Sequence, residues 1–263
     1  MEIATYHIDS FADKLFSGNP AAICILPTWL TDKELQQIAA ENNLPATAFL
    51  VEENNQFKTR WFTPEYEIDL CGHGLLATAY VVFNELKKSA DKIDLYHPKQ
   101  GKLIVTRDKE WLTLDFPSKA IEPIATPELL IKGFNVIPQA VYQFENERCL
   151  AIFSSEHEIK SLKPDQQILK QLPHRGVIVT AKGTEVDFVS RVFYPHKTMF
   201  EDAMTGSSYC LLVPYWVEQL NKTKFNARQL SARGGQVVCE YKDGRIMISG
   251  QAILFKRGTI FYS

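Results

Sequence analysis

Hydrophobic and polar positions along the chain fall into short alternating runs, interrupted by turn residues and by two longer stretches that are apolar almost all round. Residues 3–8 and 21–26 read as strands joined by a tight turn at Ser17-Gly18-Asn19-Pro20. Residues 31–42 have helical spacing. Thr31-Asp32-Lys33-Glu34 is a capping box, and Leu35, Ile38 and Ala39 make one apolar stripe. Strand-like runs at residues 47–51 and 58–62 precede Gly72-His73-Gly74, which opens the first apolar stretch, residues 75–86. A helix apolar on every face is buried on most sides. Residues 93–96, 102–106 and 111–116 then alternate as antiparallel strands do.

The second half repeats this plan. Arg60-Trp61-Phe62-Thr63-Pro64 parallels Arg191-Val192-Phe193-Tyr194-Pro195. Each ends a predicted strand, and each is followed by a glycine that opens an apolar helix, Gly74 in one case and Gly206 in the other. The second helix, residues 207–220, contains Pro214, which predicts a kink or a local rearrangement. Strands at 230–232, 237–241, 245–248 and 252–255 follow, with turns at Arg233-Gly234-Gly235 and Lys242-Asp243-Gly244. Pro117, Pro123 and Pro127 break the pattern between the repeats, so halves of 1–120 and 121–263 are expected. The fold class is α/β (α+β), with two pseudo-symmetric halves that each wrap a mostly antiparallel strand layer around a central helix. Two such halves are expected to bring their helix starts to one cleft. Helix N-termini offer unpaired N–H groups and roughly half a positive charge each, which favours a carboxylate or phosphate there.

Composition narrows the function. The 263 residues are 45% hydrophobic and 23% charged, as in an ordinary globular protein, and the net charge of −2 gives no field for a polyanion. Nucleic acid is not an expected partner. Neither a basic leader nor an apolar run of about 18 residues is present, so a cytoplasmic chain without a membrane span is expected. Five cysteines without a CxxC pair argue for a reducing compartment, and six dispersed histidines show no metal-ligand spacing. Walker, GxGxxG, HExxH and GxSxG motifs are absent.

The candidate chemistry gathers at the two helix starts. Glycines beside His73 let a ligand approach the backbone and leave the imidazole at a cavity. Asp202 and Ser207 flank Thr205-Gly206. Their ordinary use is capping, and the alternative is that Asp202 exchanges a proton while Ser207 and nearby amides bind an anion. Cys71, just before a helix start, is either a small packed thiol or a base with a lowered pKa. Cys24, Cys149, Cys210 and Cys239 lie in apolar runs and are assigned to packing.

With these residues in view, the chain resembles the PhzF-like (phenazine-biosynthesis-like) family, which has the diaminopimelate epimerase fold. The resemblance is carried nearly end to end by His7-Ile8-Asp9-Ser10-Phe11, Phe16-Ser17-Gly18-Asn19-Pro20-Ala21-Ala22, Arg60-Trp61-Phe62-Thr63-Pro64 with Glu67, and Cys71-Gly72-His73. Asp202 through Thr205-Gly206-Ser207, Arg233-Gly234-Gly235 and Gly250-Gln251-Ala252 extend it. The resemblance implies a cofactor-independent isomerase without a metal, commonly a homodimer, that moves a proton between carbons of a small carboxylate. His73, Asp202 and Cys71 are the catalytic candidates, with Asn19, Gly72, Gly74, Thr205, Gly206 and Ser207 expected to bind substrate. The family's acid/base is a glutamate in a motif like Asn-x-Ser-Glu-Thr-Ala-Phe. Here Asn43-Leu44-Pro45-Ala46-Thr47-Ala48-Phe49 holds Ala46 at that position. Ala203 replaces the proline that usually follows Asp202, and Gly74-Leu75 replaces Ala-Thr after His73. Three readings follow: an isomerase with another proton carrier, a catalytically silent carboxylate binder, or a Cys71-dependent racemase or dehydratase.

Overall fold

The computed structural model describes residues 1–87, 89–145 and 147–262. Two compact units divide the chain, one of residues 1–115 with 249–263 and one of residues 116–248.

In the first unit, β1 (Glu2–Ser10) pairs antiparallel with β2 (Asn19–Leu26), Ser10 lying opposite Asn19. The connection therefore runs over residues 11–18 and is not the tight turn the sequence suggests. Phe11 and Ala12 are buried, and the Ala12 N–H bonds the Gln251 carbonyl, so the loop is tucked into the core. Helix α1 (Asp32–Asn42) begins with the expected capping box at Thr31 and ends at Asn43 in the left-handed region. Its Leu35, Ile38 and Ala39 pack with Phe49, Val51 and Phe62. This crossover makes β3 (Ala46–Glu53) parallel to β2, with Ala46 opposite Ala21. β4 (Gln56–Phe62) returns antiparallel, and β5 (Glu67–Ile68) pairs with its end.

Helix α2 (Gly72–Val81) follows, starting two residues before Gly74. It packs against β1, β2 and β3, and all but Tyr80 of its residues are buried. A single π turn, Val82–Leu86, completes the apolar stretch. β6 (Lys92–His97) lies parallel to β4, and β7 (Gly101–Asp108) and β8 (Trp111–Pro117) continue antiparallel.

The second unit contains β9 (Glu122–Ile124), α3 (Glu128–Phe134), β10 (Ala140–Phe144), β11 (Arg148–Ile152), α4 (Glu156–Ser161), α5 (Gln166–Leu169), β12 (Gly176–Lys182), β13 (Phe188–Phe193) and β14 (Glu201–Asp202). A 3-10 turn, Gly206–Ser208, leads into α6 (Tyr209–Leu220), followed by β15 (Lys224–Gln229), β16 (Gly235–Lys242) and β17 (Arg245–Gly250). The final strand, β18 (Ala252–Phe261), belongs to the first unit because it runs along β1 with Glu2 opposite Phe261. Against the expected halves of 1–120 and 121–263, residues 116–120 belong to the second unit and residues 249–263 return to the first.

Internal repetition is complete at the level of strand pairing. The order β1–β2 antiparallel, β2–β3 parallel, β3–β4 and β4–β5 antiparallel, β4–β6 parallel and β6–β7 antiparallel recurs as β10–β11, β11–β12, β12–β13, β13–β14, β13–β15 and β15–β16. Even β18 against β1 has its counterpart in β9 against β10. The Arg-x-Phe-x-Pro match carries the same contacts in both copies. Arg60 Nε and Nη2 donate to Glu67 at 2.7 Å each, and its guanidinium lies 5.2 Å from the Phe62 ring. Arg191 makes the same fork to Glu201 at 2.7 and 2.9 Å and lies 5.0 Å from Phe193.

Two further details concern the second half. Pro214 lies inside a continuous helix. Its missing N–H would orphan the Cys210 carbonyl, and the Lys119 backbone N–H takes that carbonyl at 3.0 Å. Residues 230–232 are not a strand. The strand is β15, where Phe225, Ala227 and Gln229 point inward between polar neighbours. The turn at Asp243-Gly244 is as expected, both residues at positive φ as a two-residue hairpin turn requires.

Candidate functional site

In both halves a glutamate stands four residues before the residue that heads the helix start: Glu67 before Cys71-Gly72-His73, and Glu201 before Thr205-Gly206-Ser207. Thr205 is therefore the counterpart of Cys71, Ser207 of His73, and Ser208 of Gly74.

The first start is a packed one. Cys71 is the N-cap of α2, its Sγ accepting the Gly74 N–H at 3.3 Å. A Cβ on Gly74 would lie 2.8 Å from that sulfur and 3.0 Å from the Trp61 ring, so no larger residue fits. His73 is buried. Its Nδ1 lies 3.3 Å from Asn19 Nδ2. The ring also contacts the Cys71 sulfur at 3.6 and 3.8 Å, and the His73 carbonyl accepts from Ser10 Oγ. Behind Gly74, Trp61 is stacked on His97 with ring centroids 4.7 Å apart.

The second start is a bracket of hydrogen bonds. Thr205 Oγ1 donates to Asp202 Oδ2 at 2.5 Å. Gln229, wholly buried, accepts from the Thr205 N–H at 2.9 Å and donates to the Asp202 carbonyl at 2.6 Å. Ser208 Oγ donates to the Thr205 carbonyl, and Ser231 Oγ to that of Ala203. Arg148 Nη2 donates to Ser207 Oγ at 3.1 Å.

The predicted residues thus gather into two groups. Asn19, Cys71, Gly72, His73 and Gly74 meet in the first unit, and Asp202, Thr205, Gly206 and Ser207 meet in the second. Ala46 heads β3 and its methyl is fully buried opposite Ala21. Sequence reasoning missed Arg148 and Gln229. Arg148 is the first residue of β11, as Asn19 is the first of β2, and each reaches the helix start of its own half. Carrying the repeat upstream of Arg191 would have exposed that correspondence.

The remaining cysteines are buried as expected. Burial pushes the Cys24 and Cys210 thiols up to about 11 and Cys149 to about 12, which leaves them protonated and unreactive at neutral pH. Among the described residues, no three His, Cys, Asp or Glu side chains are grouped to hold a metal ion, and no helix is long and apolar enough to cross a membrane.

Comparison with known proteins agrees with this geometry. The family model for phenazine biosynthesis-like proteins, PhzC-PhzF, matches residues 8–258. The chain is 43% identical over 260 residues, covering 99% of both chains, to an uncharacterized isomerase of Pseudomonas aeruginosa. A crystal structure of a PhzF-family phenazine biosynthesis protein from Enterococcus faecalis superposes with a TM-score of 0.95 at 40% identity, covering 100% of both chains. A hydroxyproline epimerase from Agrobacterium vitis shares the fold alone, with a TM-score of 0.62 at 9% identity over 98% of this chain and 92% of that one.

Proposed function

Because this chain belongs to the phenazine biosynthesis-like, PhzC-PhzF family of isomerases, we propose that it is a cofactor-independent isomerase of a small carboxylic acid, acting by proton transfer. The observation that carries the proposal is the pair of helix starts, each furnished with a polar group that a proton-transfer reaction uses: His73 beside Cys71 in one half, Asp202 held by Thr205 in the other. Backbone N–H groups at Gly72 and at Gly206 to Ser207 stabilise the carboxylate and the enolate-like charge that appears as the C–H bond breaks. Asp202 is the proton carrier, in place of the glutamate that Ala46 replaces. A cytoplasmic homodimer completes the proposal.

Solvent-deuterium incorporation into dihydroxylated or amino-substituted cyclic carboxylates, followed by mass spectrometry, tests it. The natural chain is expected to exchange slowly, Asp202→Asn to lose exchange altogether, and Ala46→Glu to gain it. The Ala46 methyl is enclosed, so the added carboxyl destabilises the fold by roughly 1–3 kcal/mol, and exchange is normalised to folded protein. Exchange by the natural chain that survives Asp202→Asn intact sinks the assignment of Asp202.

The enclosed Ala46 methyl, which can carry no proton, favours a second reading, that of a carboxylate binder without catalysis. Ligand binding with no exchange in any variant would select it. A Cys71-based racemase is less well supported, because Thr205 occupies the counterpart of Cys71. Cys71→Ser is expected to leave exchange unchanged.

A further inference from the structure

At the second helix start, hydrogen bonding within the chain leaves Arg148 incompletely satisfied. Its Nη2 is spent on Ser207 Oγ at 3.1 Å. Its Nη1 is closed off from solvent and has no hydrogen-bond partner, and no carboxylate pairs with the guanidinium among the described residues. The two arginines of the internal repeat, Arg60 and Arg191, are forked to glutamates. Arg148 is not. An arginine cannot shed its charge, so a half-buried guanidinium with an idle inward nitrogen is costly unless an anion completes it.

Its surroundings add to the positive field. Lys119 is anchored beside the first turn of α6, where its backbone N–H holds the Cys210 carbonyl and its ammonium lies over the Phe144 ring, Phe144 being the strand partner of Arg148. Arg148 and Lys119 both favour the negative form of the Cys210 thiol, although burial outweighs them.

We propose that Arg148 is a substrate-binding residue, whose Nη1, together with the Ser207 hydroxyl it positions, takes a carboxylate of the ligand. Nη1 and the Ser207 hydroxyl that Nη2 holds are two donors, a match for the two oxygens of a planar carboxylate. A neutral amide of the same shape offers one acceptor and a clashing NH2, so charge decides recognition. This rests on the proposed function for the identity of the ligand class, not for the anion preference itself.

The test uses the intrinsic fluorescence of 2-aminobenzoate and its neutral twin 2-aminobenzamide, titrated with the full-length chain and followed by anisotropy. The natural protein is expected to bind the carboxylate at least tenfold more tightly than the amide. Arg148→Gln is expected to weaken the carboxylate about ten- to a hundredfold and leave the amide unchanged, and Arg148→Lys to recover part of the loss. Circular dichroism checks that each variant is folded, and an unfolded Arg148→Gln leaves Arg148→Lys to decide by its partial loss. No preference for the carboxylate in the natural chain, or an equal preference in a folded Arg148→Gln, overturns the proposal. Absence of deuterium exchange with carboxylate selectivity intact would strike the isomerase reading and leave Arg148 as the anchor.

Discussion

The two helix starts occupy equivalent places in one repeated topology, yet they are held in different ways. At Cys71 the chain is fixed by exclusion of volume, with a thiol cap, a glycine that admits no side chain and a tryptophan behind it. At Thr205 it is fixed by directional bonds from Asp202, Gln229, Ser208 and Ser231. The difference teaches where each half can vary. A packed start tolerates a change of polarity at its rim but not a change of size, whereas a bonded start tolerates neither the loss of a donor nor its replacement by an apolar group of similar shape.

Gln229→Leu separates the two starts most clearly. It removes one wholly buried side chain that satisfies two backbone groups, the Thr205 N–H and the Asp202 carbonyl, and leaves both unpaired. Roughly 2–5 kcal/mol of stability is expected to go, against about 0.5–2 kcal/mol for Cys71→Ala, which removes the thiol cap and its contact with the His73 ring at the other start. Urea unfolding of both variants measures this. Equal losses would mean that packing, not hydrogen bonding, secures the second start.

A smaller contrast lies in the two forked arginines. Arg60 uses its third nitrogen on Asp32, whose side chain is 83% exposed, while Arg191 Nη1 donates to the carbonyls of Ile159 and Leu162 at the end of α4 at 3.1 and 2.9 Å. Lysine keeps the charge but not the fork. Arg191→Lys is therefore expected to cost about 2–3 kcal/mol and Arg60→Lys about 1 kcal/mol, read as the difference between their urea midpoints. Losses of the same size would show that the carbonyl contacts add nothing beyond the glutamate fork.

How much of this was legible in the sequence follows from the range of the forces involved. α1, with its capping box and apolar stripe, and the Asp243-Gly244 turn are local, and their residues announced them. The Arg-x-Phe-x-Pro match marked the repeat because the fork and the aromatic contact need those residue types at those spacings. β15 escaped because its inward Gln229 is polar, chosen for two bonds made to a loop 24 and 27 residues away, not for an apolar face. The return of β18 to β1 was hidden for a related reason: strand pairing between chain ends leaves no local pattern. Asp202, Ser207, His73 and Cys71 were visible as motif residues, whereas Arg148 stands in an ordinary hairpin strand and gains meaning only from the Ser207 hydroxyl it reaches.

The smallest expected effect concerns pH and again sets one half against the other. His97 lies behind the first start, its Nδ1 accepting the N–H groups of Lys99 and Gln100 and its ring stacked on Trp61. Burial lowers its pKa below the ordinary 6.5, with Arg60 and Lys99 adding to the drop and the carboxylates of Glu67 and Asp69 opposing it. His174 in the second half is also lowered, by burial alone. A base whose folded pKa is depressed binds its proton more readily when unfolded, so its neutral form contributes stability that is complete above about 6.5 and is lost as the pH falls toward the folded value. Stability is therefore expected to decline between pH 7 and pH 5. His97→Asn keeps an acceptor for the two N–H groups but cannot titrate in this range, and should flatten the decline by a fraction of its slope. His174→Asn should flatten it too, and more purely, because no carboxylate offsets its burial. Thermal melts of the three proteins at half-unit pH steps measure the slopes. If neither variant differs from the natural chain, the two buried histidines take up protons with the fold intact, and the enclosure of His97 behind the first start is looser than its burial implies.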